Sequence, residues 1–195
     1  MKSSAFILFM IVQLMSSCSN SLDSKEYIRY VQSEKNGMHP VKLQNNIKAE
    51  VQYQPVEYVA LLRYGKDITP EQLDEVRKEN DQMQVYTLTL SYLNNKADFI
   101  NAGISNNQEK QRKLYYFSYS FQDHISLLED GKELPCVLYH FEKNADLVTS
   151  RTFVLGFENS TQVPPAATLI LRSPWLDEQP IEITISKTKI PSLKI

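Results

Sequence analysis

The feature that most constrains the fold of this chain is a regular alternation of apolar and polar residues in its first third. The apolar members are Ile47, Ala49, Val51 and Tyr53, and lysine, glutamate or glutamine stands between them. Successive side chains of a β-strand point to opposite faces, so this pattern predicts a strand with one buried and one exposed face. Val51 is therefore expected in the core and Gln52 in solvent.

The same alternation, or a short apolar run, recurs along the rest of the chain. Further strands are predicted at residues 41–43, 86–92, 115–121, 125–128, 136–141, 152–157, 167–172 and 181–186. Asp130-Gly131 is a hairpin turn signal, and residues 41–43 are expected to pair with the first strand across Asn45-Asn46. No helix is expected after Gly103, so strands spaced by roughly 10–15 residues predict an antiparallel β-sandwich.

Helices are expected mainly in the N-terminal part. They are predicted at about residues 23–36, 56–64, 69–81 and 96–102. Asp23 with Glu26, and Thr69 with Gln72, have the spacing of helix-capping boxes. The predicted fold class is therefore α+β, mainly β with N-terminal helices, in a single globular domain over residues 23–195.

The N-terminus indicates secretion. Lys2 is followed by about ten apolar residues and then by small residues that lead to Cys18, which is the layout of a signal peptide. The apolar run is shorter than the roughly 20 residues needed to span a bilayer. An ordinary signal peptide that is cleaved elsewhere, with Cys18 incidental, is the alternative.

Met15-Ser16-Ser17-Cys18 resembles a relaxed form of the lipobox of bacterial lipoproteins. The resemblance implies that residues 1–17 are removed, that Cys18 is acylated, and that residues 18–22 form a short tether to the membrane. Ser19 stands where an aspartate retains such proteins in the inner membrane, so the resemblance favours the outer membrane. Whether the domain faces the periplasm or the exterior stays open.

Composition narrows the possible partners. Removal of residues 1–17 takes away Lys2 and no acidic residue, which leaves 20 Lys+Arg against 23 Asp+Glu, a net charge of −3. Nucleic-acid binding rests on clustered basic residues, so no nucleic-acid partner is expected. Cys136 is the remaining thiol and lies in an apolar run, which favours a buried structural cysteine over a nucleophile paired with His140.

The sequence carries no catalytic motif, and no catalytic residue, metal ligand or cofactor is predicted. A Gly-x-Ser-x-Gly elbow and a His-Glu-x-x-His helix are both absent from it. His124 and His140 could approach each other around the Asp130-Gly131 turn, with Asp123 and Glu142 beside them. Their spacing is nevertheless unlike that of known zinc sites.

Aromatic residues supply the candidates for ligand binding. Tyr115, Tyr116, Phe117 and Tyr119 could form a stacking platform for a sugar or peptide, although alternating aromatics in a strand usually pack in a core. Trp175 is the better candidate because it falls in a proline-flanked loop. A loop tryptophan that plugs one end of a sandwich is the alternative.

Residues 27–31, Asn36-Gly37 and the segment Val51–Leu61 resemble a functionally uncharacterised group of lipoproteins from Bacteroidota, which share a Tyr-x-Pro-x-x-Tyr-x-Ala-Leu core. The resemblance implies localisation to the cell envelope and supplies no activity.

The leading hypothesis is a membrane-anchored, non-enzymatic interaction or assembly component of the cell envelope, with an envelope protein as partner. A carbohydrate- or ligand-binding surface module is the alternative, and an envelope hydrolase comes third. An exposed aromatic cluster would favour the binding module, and a broad apolar patch without a cleft would favour a protein partner.

Overall fold

The computed structural model describes residues 21–94, 98–142, 149–160, 164–188 and 190–195. Over these residues the chain is mainly β, with eleven strands in three sheets and four α-helices, which confirms the predicted α+β class. Cys18 and the predicted signal peptide lie outside the described residues. None of the helices in the described part is long and apolar enough to cross a membrane.

Helices and strands alternate in the first half of the chain, and strands dominate the second half. The α-helices are α1 Ser24–Gln32, α2 Val56–Tyr64, α3 Pro70–Glu79 and α4 Asn107–Tyr115. The strands are β1 Ser21–Leu22, β2 Val41–Gln44, β3 Ile47–Gln54, β4 Met83–Tyr92, β5 Ile125–Glu129, β6 Lys132–Pro135, β7 Leu138–Phe141, β8 Arg151–Glu158, β9 Ala166–Leu171, β10 Ile181–Ser186 and β11 Ser192–Leu193. A π-helical turn, Tyr116–Ser120, and a 3₁₀ turn, Phe121–His124, continue α4.

Two antiparallel sheets share one hydrophobic core. One has five strands in the order β2-β3-β4-β8-β7, and the other has four in the order β10-β9-β5-β6. Val51, Leu88 and Phe153 face the core from the first sheet. Leu127 and Leu169 face the same core from the second, as a sandwich requires.

A second core lies under the N-terminal helices, and α1, α2 and α3 together are called the helical layer here. The capping boxes at Asp23 and Thr69 are both formed, which fixes where α1 and α3 begin. This layer covers the outer face of β3 near its end. The Gln52 side chain is only 9% exposed and donates to the carbonyls of Val31 (3.0 Å) and Met38 (3.3 Å). The prediction that Gln52 faces solvent is therefore wrong, because helices close the second face of the strand.

The predicted strand at residues 115–121 is also wrong, as is the expectation that no helix follows Gly103. The Asn106 side chain accepts from the backbone N–H of Glu109 and caps α4, and the helical path runs on through the π-helical turn. Phe117 and Phe121 are fully buried, whereas Tyr115 and Tyr119 are exposed. A spacing of four residues fits a helical turn as well as it fits alternation, so the aromatic pattern was ambiguous.

Two shorter predictions have different outcomes. Residues 98–102 form turns in which the Asp98 carboxylate accepts from the N–H groups of Ile100 and Asn101, so the described part of the predicted 96–102 helix is not helical. Residues 95–97 lie outside the described chain. The Asp130-Gly131 hairpin is confirmed, with positive φ at both residues, and it joins β5 to β6.

Candidate functional site

A pair of exposed tyrosines stands at the end of α4. Tyr115 is 64% exposed and Tyr119 is 69% exposed, and their ring centroids lie 5.2 Å apart with an interplanar angle of 48°. This pair is called the tyrosine platform. Residues four positions apart share one side of a helix, so the continuous helical path places the two rings together.

The backbone under the platform is held by buried aromatic residues. Phe117 and Phe121 pack edge to face at 5.0 Å between centroids, and Phe121 packs against Phe153 of β8 at 5.5 Å. The Tyr139 hydroxyl of β7 donates to the Phe117 carbonyl, which ties the π-helical turn to the five-stranded sheet. The platform is therefore exposed but firmly supported, because its neighbours in sequence belong to the core.

A cleft of about 350 Å³ opens beside the platform, between the π-helical turn and β7. Its lining residues are Ser118, Tyr119, Gln122, Tyr139, His140 and Phe141. The Gln122 amide donates to the Cys136 carbonyl (2.9 Å), so its side chain has a fixed position. The cleft therefore combines an exposed aromatic ring with hydroxyl, amide and imidazole groups, which can bind a sugar or a peptide backbone.

The structure divides the residues that the sequence grouped as a stacking platform. Tyr115 and Tyr119 are exposed, Phe117 is buried in the core, and Tyr116 is half-buried. Trp175 is half-buried against the sandwich core, with its ring centroid 6.5 Å from that of Tyr116. Its ring lies outside the lining of the cleft beside the platform, and its role in ligand binding stays a prediction.

The histidines do not converge. His124 bonds through Nδ1 to the Arg172 carbonyl (2.7 Å) next to the four-stranded sheet, whereas His140 lies on β7 of the five-stranded sheet. The described ranges hold no group of three or more His, Cys, Asp or Glu side chains that could bind a metal ion. Asp123 lines a different cleft from His140, together with His124.

Cys136 is a buried thiol, as the sequence predicted. Its Sγ donates to the Leu138 carbonyl (3.0 Å), and burial raises the pKa of Cys136 to about 11. A nucleophilic cysteine needs a lowered pKa to supply its thiolate, so the raised pKa and the burial of Cys136 favour a structural role.

A buried ionic network, which the sequence did not reveal, lies at the opposite end of the sandwich. The Lys187 ammonium donates to the Glu129 carboxylate and to the Gln84 side-chain oxygen. The Ser160 hydroxyl and the Gln84 amide also donate to Glu129. Burial acts to raise the pKa of Glu129, but these hydrogen bonds outweigh it and hold the pKa below its ordinary value. Burial likewise lowers the pKa of Lys187, and Glu129 offsets part of that shift.

The network adjoins a larger cleft, of about 500 Å³, where the helical layer meets the sandwich. Tyr53, Gln84 and Ser160 line this cleft and also surround the ion pair. Glu57 and Arg77 at its wall pair with each other at 3.0 Å, so these two charges offset each other.

A second buried lysine supports the loop before α4. The Lys113 ammonium donates to the carbonyls of Phe99 (2.8 Å) and Ala102 (3.1 Å) and to the Tyr92 hydroxyl (3.3 Å). Burial lowers the pKa of Lys113 to about 8, although the nearby charges of Asp98 and Glu109 act to raise it.

Comparison of the chain with models of protein families, with curated proteins and with solved structures found no match. The geometry of the clefts and of the platform is therefore the basis for any statement about function.

Proposed function

We propose that this chain is a lipid-anchored, non-enzymatic binding component of the bacterial cell envelope that engages a partner protein through the tyrosine platform. The observation that supports the proposal is the joint exposure of Tyr115 and Tyr119. Single apolar residues at a surface are ordinary, but two adjoining aromatic rings on a supported backbone are typical of binding surfaces. Acylated Cys18 would hold the domain at the membrane, in line with the lipobox-like sequence before it.

The surroundings of the platform favour a protein partner. Leu114 precedes the platform in α4 and is 41% exposed, and Leu138 is exposed at the start of β7. Tyrosine is among the residues that contribute most to the stability of protein–protein complexes, since it combines a large apolar area with a hydroxyl. We therefore expect Tyr115 and Tyr119 to supply the main contacts with the partner protein.

A carbohydrate-binding module is the second candidate, and the cleft beside the platform favours it. Ser118, Gln122 and His140 place hydrogen-bonding groups around the ring of Tyr119. A sugar ring can stack on the aromatic face while its hydroxyls bond to such groups. This candidate uses the same tyrosine and differs in the chemistry of the partner.

The test is co-purification of the lipidated, tagged chain from detergent-solubilised envelopes, compared with the variant Tyr115→Ala/Tyr119→Ala. We expect the partner protein to be recovered with the wild type and reduced by at least about tenfold with the variant, because truncating a tyrosine that anchors an interface costs about 2 kcal/mol or more. The matched control is Leu43→Ala/Leu62→Ala, which removes two comparably exposed apolar side chains elsewhere.

Equal recovery with both variants would contradict the proposal. The fluorescence of Trp175, the single tryptophan of the chain, separates the two candidates. A change on titration with envelope oligosaccharides that Tyr119→Ala abolishes would favour the carbohydrate-binding module. Tyr115→Phe/Tyr119→Phe keeps the rings and tests whether the hydroxyls take part.

A further inference from the structure

The two ends of the described chain, β1 and β11, pair with each other as a short parallel ribbon. Ser21 pairs with Ser192 and Leu22 with Leu193, and the Lys194 N–H donates to the Leu22 carbonyl (2.9 Å). Leu22 and Leu193 pack against the core of the helical layer. The start of the folded domain is therefore fixed at Ser21.

The chain between this ribbon and Cys18 is very short. Cys18 and Ser21 are separated by three peptide steps of about 3.8 Å each, so their Cα atoms are at most roughly 11 Å apart in any conformation. An acyl group on Cys18 enters the bilayer, so the surface around Ser21 cannot lie farther from the lipid headgroups than this tether allows.

Several other segments share that surface. The Ser24 hydroxyl at the start of α1 donates to the carbonyl of Lys66, in the loop after α2, at 2.8 Å. Lys66 and Lys194 are both exposed, and Ile195 follows the ribbon with its side chain half in solvent. The ribbon, the start of α1 and the loop at residues 65–67 are together called the ribbon face.

The β2–β3 turn lies at the other end of the sandwich, where the Asp177 carboxylate accepts from the side-chain amides of Gln44 and Asn45. The tyrosine platform lies between the two ends, beside the edge strand β7. Gln54 pairs with Val85 beside the helical layer, whereas Ile47 pairs with Tyr92 at the far end of the same two strands, about 23 Å away at 3.3 Å per residue. The Tyr92 ring stacks on Phe99 at 5.1 Å, and Phe99 contacts Phe117 under the platform at 5.2 Å.

We propose that the ribbon face lies directly against the phospholipid surface, and that the fold thereby directs the opposite end of the sandwich, at the β2–β3 turn, away from the membrane. This orientation rests on the proposed acylation of Cys18. The occupant of the ribbon face is the bilayer surface itself, because a tether of this length leaves no room for an intervening protein layer. The ribbon face is mixed in charge, since Asp23, Glu26 and Asp67 are exposed there as well as Lys25, Lys66 and Lys194. The short tether, and not electrostatic attraction, therefore sets the orientation.

The test places single reporter cysteines in the lipidated full-length protein, reconstituted in phospholipid vesicles that carry a headgroup-attached fluorescence quencher. Lys66→Cys and Lys194→Cys report on the ribbon face, and Glu178→Cys reports on the exposed loop before β10, at the far end. We expect the probes at 66 and 194 to be quenched severalfold more strongly than the probe at 178. Cys136 is buried, and the wild type treated with the same label serves as the blank.

Flotation of the vesicles separates the two ways in which the proposal can fail. If the protein floats and the three probes are quenched equally, or the probe at 178 is quenched most, the orientation is wrong while the anchor stands. If the protein does not float, acylation of Cys18 is wrong and the orientation falls with it. Cys18→Ala supplies the reference for a chain that is not held at the membrane.

Discussion

Two buried lysines lie at opposite ends of this molecule, and their ammonium groups are hydrogen-bonded to different kinds of acceptor. Lys113 is 2% exposed and donates to two backbone carbonyls and a tyrosine hydroxyl. Lys187 is 7% exposed and donates to the carboxylate of Glu129. Asp98, a carboxylate near Lys113, is itself paired with Arg151 at 2.5 Å, so its charge is shared with another cation.

The difference shows how the partner of a buried cation sets its energetic role. An ammonium bonded only to neutral acceptors has no directly bonded opposite charge to offset its desolvation, so its pKa falls and it can lose its proton at moderate pH. An ammonium bonded to a buried carboxylate cannot be removed without leaving that carboxylate unpaired. Lys187 is therefore expected to be the more costly of the two to remove, and Lys113 the more sensitive to pH.

The largest effect is expected for Lys187→Met. The substitution leaves Glu129 buried without a counter-charge, which should lower the free energy of unfolding by roughly 3–5 kcal/mol. Urea unfolding of the chain lacking residues 1–18 measures this, with exposed Lys132→Met as the control. The double variant Lys187→Met/Glu129→Leu should recover much of the loss, since it removes both charges. A loss no larger than that of Lys113→Met would refute the comparison.

A smaller effect is expected for Lys113→Met. The carbonyls of Phe99 and Ala102 lose their donor, but no charge is left behind, so the cost should be about 1–3 kcal/mol. Hydrogen exchange should show faster opening of the loop at residues 98–103, while the Glu129 network stays protected. Lys110→Met, at an exposed position of α4, is the control. A loss above that of Lys187→Met would reverse the ranking.

The smallest effect is a pH dependence specific to Lys113. Its pKa in the folded chain, about 8, lies below the ordinary value of 10.5, so the unfolded chain holds this proton more tightly. The free energy of unfolding should therefore rise as the pH increases above about 8. Below that pH, the loss of stability caused by burying the charged Lys113 ammonium is fully present. Between pH 7 and 9 the wild type should gain roughly 1 kcal/mol relative to Lys113→Met. Parallel pH profiles of the two proteins would show that Lys113 does not titrate in this range.

The sequence predicted best those strands that are rich in β-branched residues. Residues 47–54, 152–157 and 181–186 are strands as expected, and each contains valine, isoleucine or threonine, which favour strands. Residues 115–121 have the same spacing of apolar residues but no β-branched residue, and a spacing of four, as between Tyr115 and Tyr119, also fits a helical turn. The polar run at residues 107–113, which carries α4, was the signal that could have distinguished a helix from a strand.

The candidate site could be predicted only in part. Tyr115 and Tyr119 were among the expected aromatic candidates, but their separation from Phe117 depends on the helical path, which local alternation concealed. Burial of Lys113 and Lys187 could not be inferred, because it depends on carbonyls and a carboxylate from distant segments. The prediction that Gln52 is exposed was wrong for the same reason, since the helices that cover its side chain lie elsewhere in the chain.

The ribbon of β1 and β11 also has a consequence for the order of folding. Its strands come from the two ends of the described chain, so β1 has no partner until β11 has been synthesised. A pair of two-residue strands contributes few hydrogen bonds, so the ribbon should form last and open first. The segment next to Cys18 therefore remains unpaired throughout synthesis, while the rest of the sandwich can fold without it.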